Sequence, residues 1–305
     1  MSYDVLLSPM KIGSMEVRNR TIMSAAEVSL GQPNGKPTEQ LMDYYEERAK
    51  GGVGLIIPGV TRVNDFTGCA TFTQLAMSRD SHIEPMRELA RRLHSHGAKL
   101  GIQLHHAGRQ GYGSSLYSLP LVLPILKLWP GFYDILFGMA PSLMKLEEKG
   151  ISFSVQAPSA CEKSAHGAAR LHAMSRREIH ALQRDFIDAA ERCKKADVDV
   201  VELHAGHGYL IQQFLSPHTN RRTDEYGGSL ENRMRFLSEI VTGIRERCGR
   251  DYPLMVRLTA DEMYDRVGRA GTGYGLKEGV EIAKRLEALG VDALNITSAG
   301  YDAYN

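Results

Sequence analysis

The chain has 305 residues, 43% of them hydrophobic, which is enough for two ordinary domains or for one large α/β barrel. Its 37 basic and 36 acidic residues give a formal net charge of +1. No tail or patch of one sign stands out, which argues against nucleic acid or an anionic membrane surface as the main partner.

The N-terminus and the cysteines bear on where the chain is located. The first stretch, MSYDVLLSPMKIG, lacks the basic and then apolar segments of a secretory signal. The four cysteines are widely spaced and none stands in C-x-x-C spacing, so we expect neither a metal site nor a fold built on disulfides. A reducing cytoplasm is therefore the expected location.

Six apolar runs, rich in β-branched residues, predict buried parallel strands. The runs are TIMSAA (21–26), VGLIIPG (53–59), KLGIQLH (99–105), DVDVVELH (197–204), PLMVRLT (253–259) and VDALNIT (291–297). Amphipathic segments lie between them, and two of these segments begin with S-x-x-E, at Ser81 and at Ser175, which predicts capping boxes. The strict alternation predicts a parallel sheet, either open and doubly wound or closed into a barrel.

Two observations favour the barrel. No G-x-G-x-x-G follows the first strand, although an open dinucleotide-binding sheet usually has one there. Polar residues stand instead at the C-terminal ends of several strands, where barrel enzymes build their active sites: Ser24, Gln103, His204 and Arg257. We therefore expect a (β/α)8 TIM barrel of which this chain supplies about six βα units, with residues 1–305 forming one barrel domain that is incomplete at its C-terminus.

Residues 111–150 interrupt the alternation of strands and helices. The segment is apolar but is broken by Pro120, Pro124, Lys127, Pro130 and Asp134, so it does not predict a membrane-spanning helix. We expect an insertion that folds over the mouth of the barrel. The alternatives are a contact between subunits or, with less support because no basic face accompanies the apolar one, docking at a membrane surface.

The stretch ELHAGHGYLIQQFLSPHTNRRTDEYGGSLENR, at 202–233, places several polar groups directly behind a buried strand. Together with the NR before TIMSAA, and with GIQLHHAGRQ, QAPSA and MVRLTADE, it resembles the Old Yellow Enzyme family of FMN-dependent ene reductases, which are (β/α)8 barrels. The similarity is to the branch that includes 2-enoate reductase, bile-acid enone reductases and bacterial 2,4-dienoyl-CoA reductase. In that branch an iron–sulfur segment and a second flavin domain follow the barrel, so a 4Fe–4S cluster and FAD are expected only in downstream domains.

The resemblance implies a reaction and three catalytic residues. Hydride would pass from NADH or NADPH through flavin N5 to the β-carbon of an α,β-unsaturated carbonyl or carboxyl compound, which leaves enone, enoate and enoyl-CoA substrates open. His204 and His207 would bind the substrate oxygen, since the developing enolate charge needs donors that are already in place. Tyr209 would supply the proton.

The resemblance also assigns residues to the cofactor. Gln103 and Arg257 would bind the pyrimidine edge of FMN, where an arginine stabilises the negative charge of the reduced ring. Without a flavin, Arg257 would need a salt bridge across the barrel, and so an acid nearby. Gly59 has no side chain and would leave room for the ring. The residues expected to touch the ring from the first strand are Ser24, Ala25 and Ala26.

Two departures from the family pattern leave alternatives. Glu27 stands where some members carry a cysteine, so a covalent flavin is not expected, and amine dehydrogenation on the same scaffold is disfavoured by Glu27 and by the paired histidines. The sequence stops after the sixth strand, before the loops that hold the FMN phosphate in the family. The alternative to a reductase is therefore a truncated, non-catalytic homologue, or a subunit completed by a partner chain or a homo-oligomer.

Overall fold

A computed structural model of the chain describes residues 3–71, 73–111, 129, 154–161, 170–300 and 303. Its strands are β1 (Met10–Ile12), β2 (Met15–Val17), β3 (Ile22–Met23), β4 (Leu55–Ile56), β5 (Thr61–Arg62), β6 (Leu75–Ala76), β7 (Lys99–His105), β8 (Ser154–Ala157), β9 (Arg170–Ala173), β10 (Val200–Ala205), β11 (Leu254–Thr259) and β12 (Ala293–Thr297). Its helices are α1 (Asp4–Leu7), α2 (Glu39–Lys50), α3 (Ile83–Ser95), α4 (Arg176–Lys195), α5 (Leu210–Leu215), α6 (Leu230–Cys248) and α7 (Leu276–Ala288). The predicted insertion at 111–150 lies outside the described residues, apart from Gly111 and Trp129.

Each of the six predicted runs contains a strand of one parallel sheet. The order across that sheet is β3, β4, β7, β10, β11, β12, which is also their order along the chain. Sequential parallel strands joined by helices on the outside are the arrangement of a (β/α)8 barrel. The predicted fold class is confirmed, and no helix within the described ranges is long and apolar enough to cross a membrane.

The pairing of the second predicted strand with β7 stops after Ile56 and resumes at Thr61, beyond the predicted run. Leu55 pairs with Lys99 and Thr61 pairs with Leu104, so the chain advances six residues along β4 and β5 while it advances five along β7. Pro58 lies in this interval and has no N–H to donate to a ladder. The extra residue is therefore accommodated as a bulge at the end of β4.

The strands bury both of their faces. The outward side chains of β7, β10 and β11 pack against the helices in the main core, and these side chains are Leu100, Ile102, Leu104, Val201, Leu203, Leu254, Val256 and Leu258. Inside the barrel, Leu55, Ile57, Val200 and Met255 form a second cluster with residues of the β1–β2 hairpin. The hairpin thus closes the N-terminal end of the barrel and leaves the C-terminal end for the polar residues.

The described sheet ends at β3 on one side and at β12 on the other. Ile22 and Ile296 on these strands are exposed. The sheet curves enough that the Asn295 amide nitrogen on β12 lies 3.4 Å from the Ser24 hydroxyl, just beyond β3. The two ends of the sheet therefore face a common interior.

One of the two predicted capping boxes is present. At the start of α4 the Ser175 hydroxyl accepts the Glu178 N–H at 3.3 Å, and the Glu178 carboxylate accepts the Ser175 N–H at 2.7 Å. The prediction at Ser81 is wrong, because α3 begins at Ile83 after a 3₁₀ turn. There the imidazole of His82 accepts the N–H of Arg79 at 3.2 Å, and this contact anchors the turn instead of a serine cap.

Candidate active site

The turn after β10 brings together the three residues predicted to be catalytic. His204 stands near the end of β10, His207 has a left-handed backbone (φ 56°), and Tyr209 directly precedes α5. The ring centroids of His204 and His207 are 5.1 Å apart, and those of His204 and Tyr209 are 4.9 Å apart. The His207 N–H donates to the Thr259 hydroxyl at 3.2 Å, which fixes the turn to the neighbouring strand. Their roles in catalysis stay predictions.

Burial keeps both histidines neutral. The pKa of His204 lies well below its usual range, chiefly because the ring is buried and also because His105, His207 and Arg257 lie nearby. Burial lowers the pKa of His207 to about 4. The Gly206 N–H donates to His204 Nδ1 at 3.3 Å, so the proton of the neutral ring is on Nε2. His204 therefore offers an N–H donor without a positive charge at neutral pH, while the Nε2 of His207 lies 2.9 Å from the Thr297 hydroxyl.

A third histidine, which the sequence reasoning missed, belongs to this group. Leu104 pairs with Leu203, so His105 lies beside His204 on the next strand, and its ring centroid is 4.3 Å from that of Tyr209. Its Nε2 is buried without a hydrogen-bond partner. The signal was present, because the period-two alternation that turns Gln103 inward also turns His105 inward.

The tautomer of His105 follows from its other contact. The Gln74 amide oxygen accepts the Ala70 N–H at 2.8 Å, so the Gln74 amide nitrogen faces His105 and donates to its Nδ1 at 2.9 Å. Burial holds the pKa of His105 well below its usual range. The ring is therefore neutral and carries its proton on Nε2. We call His105, His204, His207 and Tyr209 the histidine cluster.

A second polar group occupies the barrel interior nearby. The fully buried carboxylate of Glu202 accepts the Gln103 amide nitrogen at 2.6 Å and the Asn295 amide nitrogen at 3.0 Å. Burial raises the pKa of Glu202, while these two donors and the charge of Arg257 act in the opposite direction. We call Gln103, Glu202, Arg257 and Asn295 the Glu202 cluster.

Arg257 does not form the salt bridge that a purely structural role would require. Its guanidinium donates to the backbone carbonyl of Ala25 at 2.9 Å, and its Nε is buried without a hydrogen-bond partner. Among the residues that the structure describes, no carboxylate forms an ion pair with it. The acid nearby is Glu202, whose charge lowers the cost of burying Arg257 without a direct pair.

The unpartnered atoms fit the pyrimidine edge of a flavin. Among the residues that the structure describes, the buried acceptor Gln103 Oε1 and the buried donor Arg257 Nε have no hydrogen-bond partner. The edge of an isoalloxazine offers one N–H and several acceptors, so this pair of residues is complementary to it. Ala25 and Ser24 lie at the same place, since they contact Arg257 and Asn295 respectively.

Gly59 packs closely against the segment that follows β3, and its role in leaving room for the flavin ring stays a prediction. A Cβ on Gly59 would lie 2.8 Å from the Cα of Glu27 and 2.9 Å from the carbonyl oxygen of Ala26. The glycine thus permits the segment after β3 to approach the bulge, and the space beside it is already filled by backbone. Glu27 accepts the Ser29 N–H at 2.7 Å, and partial burial raises the pKa of its carboxyl group.

No metal site accompanies these groups in the described part of the chain, where no three His, Cys, Asp or Glu residues are placed to hold an ion.

Comparisons with known proteins agree with this geometry. The model of the NADH:flavin oxidoreductase / NADH oxidase family matches residues 5–299. An NADH oxidase of Thermoanaerobacter brockii is 38% identical over 298 residues, which cover 98% of this chain and 40% of that protein. A cinnamate reductase of Clostridium sporogenes is 33% identical over 320 residues, which cover 99% of this chain and 42% of that protein.

The chain is also similar to a solved structure. A complex of 2-naphthoyl-CoA reductase with 2-naphthoyl-CoA superimposes with a TM-score of 0.82 at 29% identity, over 100% of this chain and 42% of that one. The chain thus spans about 40% of the length of these relatives.

Proposed function

We propose, from the premise that the chain belongs to the NADH:flavin oxidoreductase / NADH oxidase family, that it forms the FMN-binding barrel of a reductase for activated C=C bonds. The observation that carries the proposal is the histidine cluster, in which neutral imidazoles and a tyrosine converge beside the Glu202 cluster. The activity is proposed for the whole protein to which this barrel belongs.

The histidines would polarise the substrate. His204 presents a neutral Nε2–H. The ring centroid of His207 lies 5.1 Å from that of His204, its backbone is held by Thr259, and its Nε2 would turn from the Thr297 hydroxyl, 2.9 Å away, to the substrate oxygen. Reduction of a conjugated alkene places negative charge on the carbonyl oxygen, and two fixed donors stabilise that charge more than they stabilise the neutral substrate. Because burial keeps the rings neutral, this donor capacity is unchanged across the physiological pH range.

Tyr209 would deliver the proton. Its ring is buried between His105 and His204, so it lies next to the place where the substrate oxygen would bind. A phenol is a weak acid in water but becomes an effective donor when the carbon beside it develops carbanion character. The proton would go to the α-carbon of the substrate.

The Glu202 cluster would hold the cofactor. Gln103 Oε1 and Arg257 Nε are the buried atoms that need partners, and Ser24, Ala25 and Ala26 would line the ring at the end of β3. When bound there, FMN supplies the hydride, which it obtains from NADH or NADPH. The positive charge of Arg257 favours the reduced, anionic ring.

The relatives suggest the substrate class. Cinnamate is a conjugated acid, and 2-naphthoyl-CoA is a conjugated thioester. Each contains a conjugated carbonyl oxygen, which is the group that His204 and His207 would bind in the proposed site. We therefore propose a conjugated carboxylic acid, thioester or enone as the substrate.

The test is the response of flavin-loaded protein to a phenol, which gives a charge-transfer absorbance when it stacks on oxidised flavin. A His204→Ala, His207→Gly double variant should lose this absorbance and keep its flavin content. Glycine is used at 207 because the backbone there is left-handed. Alkene reduction should fall by about 10²–10³ for each donor removed.

A His172→Ala variant is the control, since that histidine is exposed and pairs with Glu178. It should titrate with phenol like the unaltered protein. A double variant with a normal phenol titration would show that these histidines do not bind the substrate oxygen.

A further inference from the structure

We propose that Glu202 is a positioning residue for the flavin site, which fixes the orientation of the Gln103 amide and offsets the charge of Arg257. This inference rests on the proposed function, because it concerns how the same site meets the flavin ring. Glu202 itself is fully buried and acts through its neighbours.

The position of Glu202 in the sheet explains why it can organise several strands. β10 lies between β7 and β11, and Glu202 pairs in register with Gln103 on β7. Its two carboxylate oxygens serve two different amides, since Oε1 accepts from Gln103 and Oε2 accepts from Asn295 on β12. One buried carboxylate therefore connects β7, β10 and β12 across the interior.

The first consequence concerns Gln103. An amide side chain can present either its oxygen or its nitrogen to a ligand. Which of the two atoms faces the ligand is decided by the hydrogen-bond partner of the other atom. Here the carboxylate accepts from Nε2 at 2.6 Å, so Oε1 is the free end, and Oε1 is buried without a partner. Glu202 thereby makes Gln103 an acceptor, which requires a ligand with an N–H, and the pyrimidine edge of a flavin has one such group, N3–H.

The second consequence concerns charge. Arg257 donates to the backbone of Ala25 and forms no ion pair among the described residues, so no carboxylate in direct contact neutralises its charge. Glu202 is paired with Met255 on β11, two residues before Arg257, and the charge of Arg257 acts to lower the pKa of the Glu202 carboxyl group. In a buried site such a charge is weakly screened, so Glu202 reduces the preference of the site for the anionic, reduced ring.

Two substitutions separate these roles. Glu202→Gln removes the charge and lets the Gln103 amide turn, whereas Glu202→Asp keeps the charge but is one methylene too short to serve both amides. The reduction potential of the bound flavin should shift to more positive values in E202Q and should stay close to that of the unaltered protein in E202D. An exposed carboxylate on α6 provides the control, and Glu246→Gln should leave the potential unchanged.

The orientation of Gln103 is read from the N3–H of ¹⁵N-labelled FMN in the loaded protein. This proton should be protected from exchange with solvent, and its exchange should accelerate by roughly fivefold or more in both E202Q and E202D, because each loses a net hydrogen bond of about 1 kcal/mol or more. A purely structural role for Glu202 would not raise the reduction potential in E202Q alone while accelerating N3–H exchange in both variants.

The outcomes distinguish this inference from the proposed function. If the whole protein to which this barrel belongs binds no flavin, the proposed function and this inference are refuted together. A second outcome is that the flavin binds normally while its potential is unchanged in E202Q and its N3–H exchange is unchanged in E202D. That outcome refutes the inference and leaves the proposed function standing. If E202Q does not fold, unaltered N3–H protection in E202D is sufficient to overturn the role in positioning Gln103.

Discussion

Glu262 is a buried carboxyl group whose ionisation should appear in the pH dependence of folding stability. It follows β11 and accepts hydrogen bonds from the Ser216 hydroxyl at 2.8 Å, the Tyr274 N–H at 2.9 Å and the Gln212 amide at 3.1 Å. Burial outweighs these donors and raises the pKa of Glu262 from 4.5 to about 7. Gln212 in turn accepts the Gly208 N–H at 2.6 Å, so this carboxyl group supports the turn that carries the histidine cluster.

The sign and size of the effect follow from that shift. A carboxyl group whose pKa is raised on folding stabilises the native state most below its unfolded pKa of 4.5, and this contribution is lost as the pH rises through the folded pKa of about 7. The shift corresponds to about 3 kcal/mol. The Glu262→Gln variant cannot ionise at this position. The difference between its free energy of unfolding and that of the unaltered protein should therefore increase by about 3 kcal/mol as the pH rises from 4.5 to above 7.

The measurement is urea unfolding of both proteins at several values of pH from about 5 to 8.5, analysed as the difference between them. The difference cancels the contributions of the buried histidines, which are common to both. Glu246→Gln, which alters an exposed carboxyl group, should run parallel to the unaltered protein. Parallel stability curves for E262Q and the unaltered protein would show that Glu262 is ionised at its ordinary pKa, and the burial argument would fail.

Two further predictions concern catalysis and local stability. Tyr209→Phe should leave reduction of the flavin by NAD(P)H near normal and slow alkene reduction by roughly 10²–10⁴; equal slowing of both half-reactions in stopped flow would point to a structural tyrosine. Ser175→Ala should lower the free energy of unfolding by about 1 kcal/mol because it removes the cap of α4, whereas Ser81→Ala should change it by less than about 0.5 kcal/mol. Urea midpoints of the two serine variants measure this contrast, and equal losses would contradict it.

The strands could be predicted from the sequence because their physical cause is local. A parallel strand that is covered on both faces needs a nearly continuous apolar run, and all six runs contain strands of the sheet. The cap at Ser175 could also be predicted from the sequence, since the two residues of its capping box are three positions apart. Ser81 has the same spacing, but a tertiary contact overrides it, because His82 also reaches the backbone oxygen of Asn34 at 2.9 Å. A distant contact of this kind leaves no trace in a local motif.

Only part of the site could be predicted from the sequence, because some of its residues meet through distant contacts. His204, His207 and Tyr209 lie within six residues, so one turn brings them together whatever the rest of the sheet does. The partners of Glu202 lie on other strands, 99 residues before it and 93 residues after it. Which residues meet across a parallel sheet depends on the register, and the sequence of one strand does not state the register of the next. Glu202 and Asn295 were missed on that account, although both occur in predicted strands.

The pleat of the strands explains how one barrel end holds two chemically different groups side by side. Gln103 and His105 are two residues apart on β7, and Glu202 and His204 are two residues apart on β10, so each pair points inward while Leu104 and Leu203 between them point to the helices. The inner member of each pair joins the charged Glu202 cluster, and the outer member joins the neutral histidine cluster. The separation matters because an arginine that favours an anionic ring also disfavours the protonated form of a nearby imidazole. The charge that would tune the cofactor therefore adds to the burial that keeps His204 and His207 neutral, and this arrangement depends on the register that pairs His204 with Arg257 across β10 and β11.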